Sequence, residues 1–305
     1  MIDATVADRP LVPPLPRRHG GLRAALRWRT GGLNGLLLLP SLLLVFLFLG
    51  LPLVVVVISS FQPNVLLSFE APGFDNYKYL LTRAYYFDVL IRTIRLALLG
   101  TIVTLPLGYA AAMLLLRLSG RLANLAMMGL TFPILAGPLV VIMGWMALLP
   151  ARGPIFGPLV ALGLISPPRI LGSETGVLIS LVQFMLPFAI LTLYTSLKQI
   201  PRELYEAADS LGAGPVQSFL DITLPLSLPG VLSSAIIVFS LGASSYISPH
   251  YLGGAADLTL TTLIAQFILA TYNSQLAATA AVLLLIIMVL CMAGLVALVG
   301  RFIRP

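Results

Sequence analysis

The stretch Glu206–Pro225 reads EAADSLGAGPVQSFLDITLP and lies between two long apolar segments. It is polar, rich in turn-forming residues and able to form helix, whereas its neighbours are apolar enough to enter a lipid bilayer. A segment of this kind belongs on the water side of a membrane. It is therefore the part of the chain by which a soluble partner can hold a membrane protein.

The composition indicates an integral membrane protein. Of the 305 residues, 59% are hydrophobic and only 10% are charged, whereas about 25% are charged in an ordinary soluble domain. The mean hydropathy is +1.02. The single cysteine, Cys291, excludes a disulfide framework and a multi-cysteine metal site within this chain.

Apolar runs recur along the chain, and about six of them reach the roughly 20 helical residues that the hydrocarbon core requires. The sequence therefore predicts an all-α integral membrane fold with about six transmembrane helices. Proline and glycine within the runs allow kinks or local breaks. The predicted spans are Leu36–Ser60, Val89–Leu116, Asn124–Leu149, Gly176–Leu197, Gly230–Ser248 and Leu276–Gly300.

The net charge of +7 is concentrated before the first span. This position favours membrane orientation or contact with anionic lipids over nucleic-acid binding. The following apolar run is too long for a cleavable signal core and lacks a small-residue cleavage site, so we interpret it as an uncleaved anchor. The arginines of this tail are Arg9, Arg17, Arg18, Arg23, Arg27 and Arg29.

The distribution of basic residues predicts the orientation, because cytoplasmic loops carry the excess of Lys and Arg. If the N terminus is cytoplasmic, that side also holds Arg117, Arg121, Lys198, Arg202, Arg301 and Arg304. The other side holds Lys78, Arg83, Arg152 and Arg169, with Arg92 and Arg95 near the start of the second span. The predicted organisation is a cytoplasmic basic tail (1–35), a six-span domain (36–300), a cytoplasmic loop within it (198–229, the EAA loop) and a cytoplasmic end (301–305).

Helix signals give the EAA loop a predicted shape. Pro201 suits a first helical turn, Glu203 and Glu206 favour the positive end of the helix dipole, and Gly212 suits a left-handed stop. We expect a helix over Pro201–Leu211. Its predicted packing face holds Leu204, Ala208 and Leu211, and its predicted exposed face holds Arg202, Glu206 and Asp209.

A second short helix is predicted to start at Gly214-Pro215. Its apolar stripe consists of Val216, Phe219 and Leu220. Pro225 and Pro229 mark the return to the bilayer. The two helices form a compact knob that fits a groove on another protein.

These residues resemble the hallmark of the transmembrane permease subunits of binding-protein-dependent ABC importers with the type I importer fold. The hallmark is EAA, a glycine a few residues later, nine residues, and then I-x-L-P. This chain has Glu206-Ala207-Ala208, Gly212, nine residues from Ala213 to Asp221, and Ile222-Thr223-Leu224-Pro225.

Four other segments are similar to the polyamine-type branch of that family, and the likeness extends over most of the chain beyond the tail. They are Ile200–Tyr205, Leu224–Gly230, Phe74–Tyr77 and Ser248–Gly254. One departure is Arg92-Thr93, where many members of the family have Asn-Thr; it concerns the local contacts of the second span.

The resemblance implies that the EAA loop docks into a separate ATPase subunit and transmits its ATP-driven closure to the membrane helices. The implied coupling residues are Glu206, Ala207, Ala208, Gly212, Pro215, Ile222 and Pro225. For an EAA triplet without the remaining spacing, an amphipathic surface helix is the simpler interpretation.

The implied partners are ABC ATPase subunits, a second permease subunit that is a paralogue or a copy, an external substrate-binding protein and membrane lipids. ATP and Mg would be bound by the ATPase subunits, and no cofactor is expected in this chain. The implied location is the bacterial inner membrane.

The sequence assigns no catalysis or metal site to the chain itself. A phosphate-binding loop needs a lysine after glycine, and the only lysines, Lys78 and Lys198, do not lie in such a loop. Metalloprotease and nucleophile-elbow patterns are also absent from the sequence.

Polar residues at membrane depth are the candidates for a substrate path, because an unpaired polar group there is costly. They are Gln183, Ser240, Ser244, Ser245 and Tyr246. Serine also permits close helix packing and bonds its own helix carbonyls, so packing is the competing interpretation. We expect Arg92 and Arg95 to extend to the interface. Asp88, Glu174 and Asp257 lie on the outer side, where they could attract a cationic substrate or meet the binding protein; solvation in a loop is the simpler interpretation.

Two alternatives from other classes are an ion-coupled secondary carrier and a non-transporting membrane scaffold. The carrier would use intramembrane carboxylates, and the predicted spans contain almost none away from their ends. The substrate is expected to be a small polar solute, with a polyamine as first choice from the resemblance alone.

Overall fold

The computed structural model describes residues 40–64, 67, 71–254 and 257–303, with side chains up to residue 297. The predicted basic tail (1–35), residues 36–39 of the predicted first span and Arg304 lie outside these ranges. Within them the chain is helical and forms no β-strand, as the sequence predicts. The helices are α1 (Pro40–Ser60), α2 (Asp75–Thr82), α3 (Ala84–Arg117), α4 (Gly120–Ala136), α5 (Pro138–Leu148), α6 (Phe156–Ala161), α7 (Glu174–Lys198), α8 (Arg202–Ser210), α9 (Pro215–Ala243), α10 (Ile247–Leu252), α11 (Leu260–Leu269) and α12 (Ser274–Ile303).

By length and composition, five of the described helices can cross a membrane: α1, α3, α7, α9 and α12. A sixth span results if the bent pair α4 and α5 is taken as one. The number of spans therefore agrees with the predicted fold. Contacts divide the chain after Val54; of the first unit the structure describes residues 40–54, which are helical and include a π-type turn at Phe46–Gly50.

The predicted third span, Asn124–Leu149, corresponds to α4 and α5 and is broken within, as the proline and glycine of this run allow. α4 and α5 meet at Gly137 with an angle of 99° between them. Gly137 has φ +78°, a left-handed conformation open to glycine, and the following Pro138 disfavours helical geometry at Gly137. Pro138 then starts α5 at a position where its missing N–H costs nothing.

The predicted fifth span, Gly230–Ser248, is also displaced. α9 already begins at Pro215, so the predicted second short helix of the EAA loop is the first turn of a long membrane helix rather than a separate element. α9 ends at Ala243, and Ser248 lies in the separate short helix α10. The predicted two-helix knob is therefore one short helix followed by the start of a span.

The core of the second unit is formed mainly by α3, α7 and α9. α3 and α7 approach closely at Gly108, where an added Cβ would lie 2.9 Å from the Cβ of Ala189. Small residues at such crossings allow helix backbones to pack without side chains between them. The buried residues of this region include Leu96, Val177, Leu181, Met185, Leu193, Val238 and Phe239.

A buried amide network, the Asn64 network, joins the segment after α1 to α2 and to the start of α12. Asn64 Nδ2 donates to Asn273 Oδ1 at 2.9 Å, and Asn273 Nδ2 donates back to Asn64 Oδ1 at 3.3 Å. Asn76 Nδ2 donates to the carbonyls of Ser60 and Gln62 at 3.2 and 3.0 Å. All three asparagines are buried, so the network fixes these three segments to one another.

Candidate functional site

The EAA loop begins with α8, and a Schellman turn at Gly212 ends that helix. The Ala213 N–H donates to the Ala208 carbonyl at 3.0 Å, and the Gly212 N–H donates to the Asp209 carbonyl at 3.0 Å. Gly212 has φ +80°, the left-handed conformation that this turn requires. The predicted helix and its glycine stop are confirmed, with each end within one residue of the prediction.

α8 packs on the rest of the chain through Tyr205 and Ala208, its two least exposed residues. The Tyr205 hydroxyl lies 3.0 Å from Thr223 Oγ1 in the first part of α9. Glu206 and Ala207 remain exposed beside this contact. The EAA triplet therefore lies on a helix that is held to the membrane helices from one side and open on the other.

The predicted packing face of α8 is wrong for Leu204 and Leu211. Leu211 is 88% exposed and Leu204 is exposed as well, because the Tyr205 contact turns a different face inward. Val216 and Leu220 at the start of α9 are also exposed. Exposed apolar side chains on a polar loop are characteristic of a protein-binding surface.

Ile222 and Pro225 lie where α9 changes from π to α geometry. The π-type turn covers Phe219–Thr223, and the Leu224 N–H donates to the Phe219 carbonyl five residues earlier. Pro225 has no N–H, so the carbonyl one turn before it receives no helical hydrogen bond from it. Single π turns of this kind are frequent at functional sites.

Gln183 on α7 lines a small cavity of about 60 Å³ beside the bend at Gly137. Its Oε1 accepts a hydrogen bond from Trp145 Nε1 at 3.3 Å. Two buried serines, Ser180 and Ser248, line the same cavity. The remaining lining residues are Pro133, Ile134, Pro138, Val141, Ile142, Phe184, Pro187 and Phe188.

Pro187 adds a polar group to this cavity. A proline inside a helix removes the hydrogen bond to the carbonyl four residues earlier, and for Pro187 that carbonyl belongs to Gln183. Phe184 and Phe188 lie edge to face with centroids 5.9 Å apart. The sequence pointed to Gln183 alone; the spacing of Gln183 and Pro187 was the signal for the free carbonyl, whereas Trp145 comes from a distant segment and gave no signal.

The remaining substrate-path candidates do not join Gln183. Ser240 and Ser244 lie on the less buried face of α9, where each hydroxyl donates to a carbonyl of its own helix at 2.6 and 2.7 Å. Ser245 and Tyr246 follow the end of α9, and the Tyr246 ring stacks on His250 at 4.9 Å. None of these four lines the Gln183 cavity, so their place in a substrate path stays a prediction.

Arg95 and Glu174 form an ion pair between α3 and the start of α7, and both side chains remain partly exposed. Glu174 lies in the first turn of α7 rather than in a loop. Thr93, next to the atypical Arg92, keeps a structural contact: its Oγ1 accepts from the Leu260 N–H at 2.8 Å. Among the residues the structure describes, no group of three or more His, Cys, Asp or Glu is arranged to hold a metal ion.

Comparison with known proteins gives a consistent family. A sequence profile described as "Binding-protein-dependent transport system inner membrane component" matches residues 104–305. The chain is 33% identical over 221 residues to the spermidine/putrescine transport system permease protein PotB of Escherichia coli, covering 72% of this chain and 80% of that protein. It is 30% identical over 262 residues to the diacetylchitobiose uptake system permease protein DasB of Streptomyces coelicolor, covering 80% and 79%.

Among solved structures, the fold resembles a chain of a bacterial ABC transporter involved in the import of the acidic polysaccharide alginate. The TM-score is 0.74 at 18% sequence identity, and the match covers 92% of this chain and 100% of that chain. This likeness concerns the fold. The profile match, residues 104–305, includes both the EAA loop and the Gln183 cavity.

Proposed function

The chain belongs to the family of inner membrane components of binding-protein-dependent transport systems, and we propose that it imports a polyamine together with a second permease subunit. It is the permease subunit of an ABC importer, a multi-pass protein of the inner membrane, and not itself an enzyme. The relatives named above include carriers of a polyamine and of a disaccharide derivative. Family membership is therefore compatible with chemically different substrates, and the polyamine is tested by uptake measurements.

The partners follow from this role. ABC ATPase subunits bind ATP and Mg, and an external binding protein delivers the substrate. Both termini of this chain lie in the cytoplasm. The EAA loop is then on the same side of the membrane as the ATPase subunits. The observation that supports docking is the exposed surface of Glu206, Ala207, Leu211 and Val216 on a loop held from its other side. The proposed docking residues are Glu206, Ala207, Ala208, Gly212, Pro215, Ile222 and Pro225.

A charge reversal in the motif tests docking. Glu206→Lys places the wrong charge in a closely packed interface, and we expect at least about a tenfold fall in ATP-dependent uptake together with loss of the co-purifying ATPase. Glu203→Lys, one turn earlier on the same exposed helix, is the matched control and should retain both. If Glu206→Lys retains the ATPase and normal uptake, the docking proposal is wrong.

The Gln183 cavity is the proposed substrate contact within this chain. At about 60 Å³ it holds one ammonium group rather than a whole polyamine. The Gln183 carbonyl accepts hydrogen bonds from an ammonium group, and Phe184 and Phe188, which line the cavity, provide the aromatic rings that attract organic cations. The serine face of α9 would line the path opposite the second permease subunit.

Uptake of radiolabelled spermidine and putrescine by the reconstituted importer tests the substrate. Gln183→Leu should raise the KM for polyamine about five- to twentyfold, because an uncharged polar contact to a cation is lost, while ATPase assembly is unchanged. Gln266→Leu, an exposed glutamine on α11, is the control. If the unaltered complex takes up neither polyamine, the proposed substrate is wrong, and the assignment of the chain as a permease subunit is unaffected.

The two other function classes are not favoured by family membership. An ion-coupled carrier would transport without an ATPase, and a scaffold would not transport. ATP-dependent uptake with a co-purifying ATPase distinguishes the permease from both.

A further inference from the structure

A second cavity, the Arg117 cavity, lies between the EAA loop and the ends of two membrane helices. Its volume is about 330 Å³. α8 provides one wall, the first turns of α9 provide another, and the ends of α3 and α7 close it toward the membrane helices. The lining residues are Met113, Leu116, Arg117, Leu197, Tyr205, Asp209, Pro215, Ser218, Phe219 and Thr223.

Three polar groups in this cavity make no hydrogen bond or ion pair with the residues that the structure describes; Arg117 and Asp209 are exposed, whereas Ser218 is buried. Ser218 is 9% exposed, and its Oγ makes no hydrogen bond. Arg117 and Asp209 carry opposite charges and line the same cavity, yet they do not pair, because the one ion pair in the described ranges joins Arg95 to Glu174. Tyr205 and Thr223, by contrast, satisfy each other.

The three groups are chemically complementary. Asp209 is an acceptor with room for two donors, Arg117 supplies a forked set of N–H donors, and Ser218 supplies an O–H donor. A buried hydroxyl without a partner is unfavourable, so an arrangement in which Asp209 accepts from both would be more stable locally. In this structure the three residues line the cavity without making these contacts.

The construction of α8 permits such a movement. α8 is joined to α7 through residues 199–201, where Ile200 packs on the core, and it ends at the exposed left-handed turn of Gly212. The Tyr205–Thr223 hydrogen bond joins α8 to α9, and the residues of α8 other than Tyr205 and Ala208 are exposed. With few contacts beyond its connection to α7, α8 can tilt toward α3 about that connection.

We propose that the Arg117 cavity closes in the second conformational state of the importer, and that Asp209 then bridges Arg117 and Ser218. Arg117 thereby becomes a positioning residue that receives the movement of α8 at the end of α3. This rests on the proposed docking of the EAA loop on the ATPase. The bridge gives α3 a direct connection to the loop, which the motif residues by themselves do not provide.

Charge exchange tests the bridge. Arg117→Asp and Asp209→Arg should each reduce the substrate transported per ATP hydrolysed by about tenfold, the effect of losing a charge-assisted hydrogen bond of ordinary strength. The double exchange should restore the ratio to within about threefold, because the pair is reversed rather than lost. A merely structural role would leave the ratio of transport to hydrolysis unchanged in the single variants, and this outcome would overturn the proposal. Failure of the double exchange to restore that ratio would overturn it as well.

Cross-linking locates the bridge in one state. Cys291 is first replaced by Ala, and Arg117→Cys is combined with Asp209→Cys in the assembled complex. A thiol-reactive cross-linker about as long as an arginine side chain should join the two cysteines at least about tenfold faster in one of two states, nucleotide-free or trapped with ATP and vanadate, because an Arg–Asp pair holds its Cα atoms too far apart for a direct disulfide. The control pair is Arg117→Cys with Arg202→Cys, two helical turns before Asp209, which should not cross-link in either state.

Equal rates in both states, or no cross-link in either, would overturn the proposal. Retention of the ATPase by each variant is measured in parallel. If Glu206→Lys fails to affect docking and uptake, the proposed docking is wrong; if docking is intact but the Arg117 and Asp209 variants give the contrary results, only the bridge is wrong.

Discussion

The two ends of α3 are held in opposite ways. α3 has 34 residues and is therefore about 50 Å long. α2 directly precedes the start of α3. There the Asn64 network joins the segment after α1, α2 and the start of α12 by buried amide hydrogen bonds. At its other end, Arg117 faces a cavity beneath α8, and α8 is held by one tyrosine hydroxyl and a glycine turn.

This difference indicates a fixed end and a movable end. Buried, reciprocally satisfied amides rigidify the segments they join, whereas an exposed helix over a cavity has few contacts to lose when it moves. In a permease driven by an external ATPase, the movable end is the one that carries the EAA loop. The opposite end supplies the frame against which that movement acts.

The largest expected effect comes from disrupting the fixed end. Asn273→Leu removes the acceptor of Asn64 Nδ2 and of the Leu276 N–H, which it caps at 3.0 Å. Each buried donor left without a partner costs about 1–3 kcal/mol. We expect the free energy of unfolding to fall by about 2–5 kcal/mol, measured as a lower denaturation temperature of the purified protein in detergent.

Ser274→Ala is the control for this change, since Ser274 is exposed and adjacent. It should leave the denaturation temperature close to that of the unaltered protein. An Asn273→Leu protein as stable as the control would show that the Asn64 network does not anchor this end.

Disrupting the Gly212 turn at the movable end should lower stability less than Asn273→Leu does, but it should strongly reduce transport. Gly212→Val places a β-branched residue at φ +80° and strains the turn by about 1–3 kcal/mol. Because the turn is exposed, the denaturation temperature should change little, while uptake falls about tenfold or more as α8 loses its orientation. Gly214→Ala, at an ordinary φ of −73° with nothing near an added Cβ, is the control. Unchanged uptake in Gly212→Val would contradict a role for the turn.

The contrast also explains what could be predicted from the sequence. The helix of the EAA loop and its stop at Gly212 depend on neighbouring residues, so local rules located them within one residue. Asn64 and Asn273 are 209 positions apart, and no local pattern indicates that two asparagines so distant share a buried network. The side of α8 that packs was predicted wrongly for a related reason, because the Tyr205–Thr223 contact depends on the position of α9.

The spans show the same division between local and distant causes. The approximate number of spans follows from the lengths of the apolar runs. The position of the break at Gly137 does not, because the sequence alone does not distinguish a glycine with a left-handed conformation from one that a helix tolerates. Gln183 was located by its polarity within an apolar helix. Its cavity was not, because the lining residues Ile142 and Ser248 come from α5 and α10.

The smallest effect is expected from the hydrogen bond that holds α8. Tyr205→Phe keeps the ring and removes the hydroxyl that bonds Thr223 Oγ1 at 3.0 Å. A net hydrogen bond contributes about 0.5–1.5 kcal/mol, so the substrate transported per ATP hydrolysed should fall about two- to tenfold with the ATPase still bound. Thr223→Val should give a similar loss, and the double variant should be no worse than either single change, because both remove one interaction. Tyr85→Phe, an exposed tyrosine at the start of α3, is the control. Additive losses would mean that the two hydroxyls act separately, and the movable end would then be held by more than this one bond.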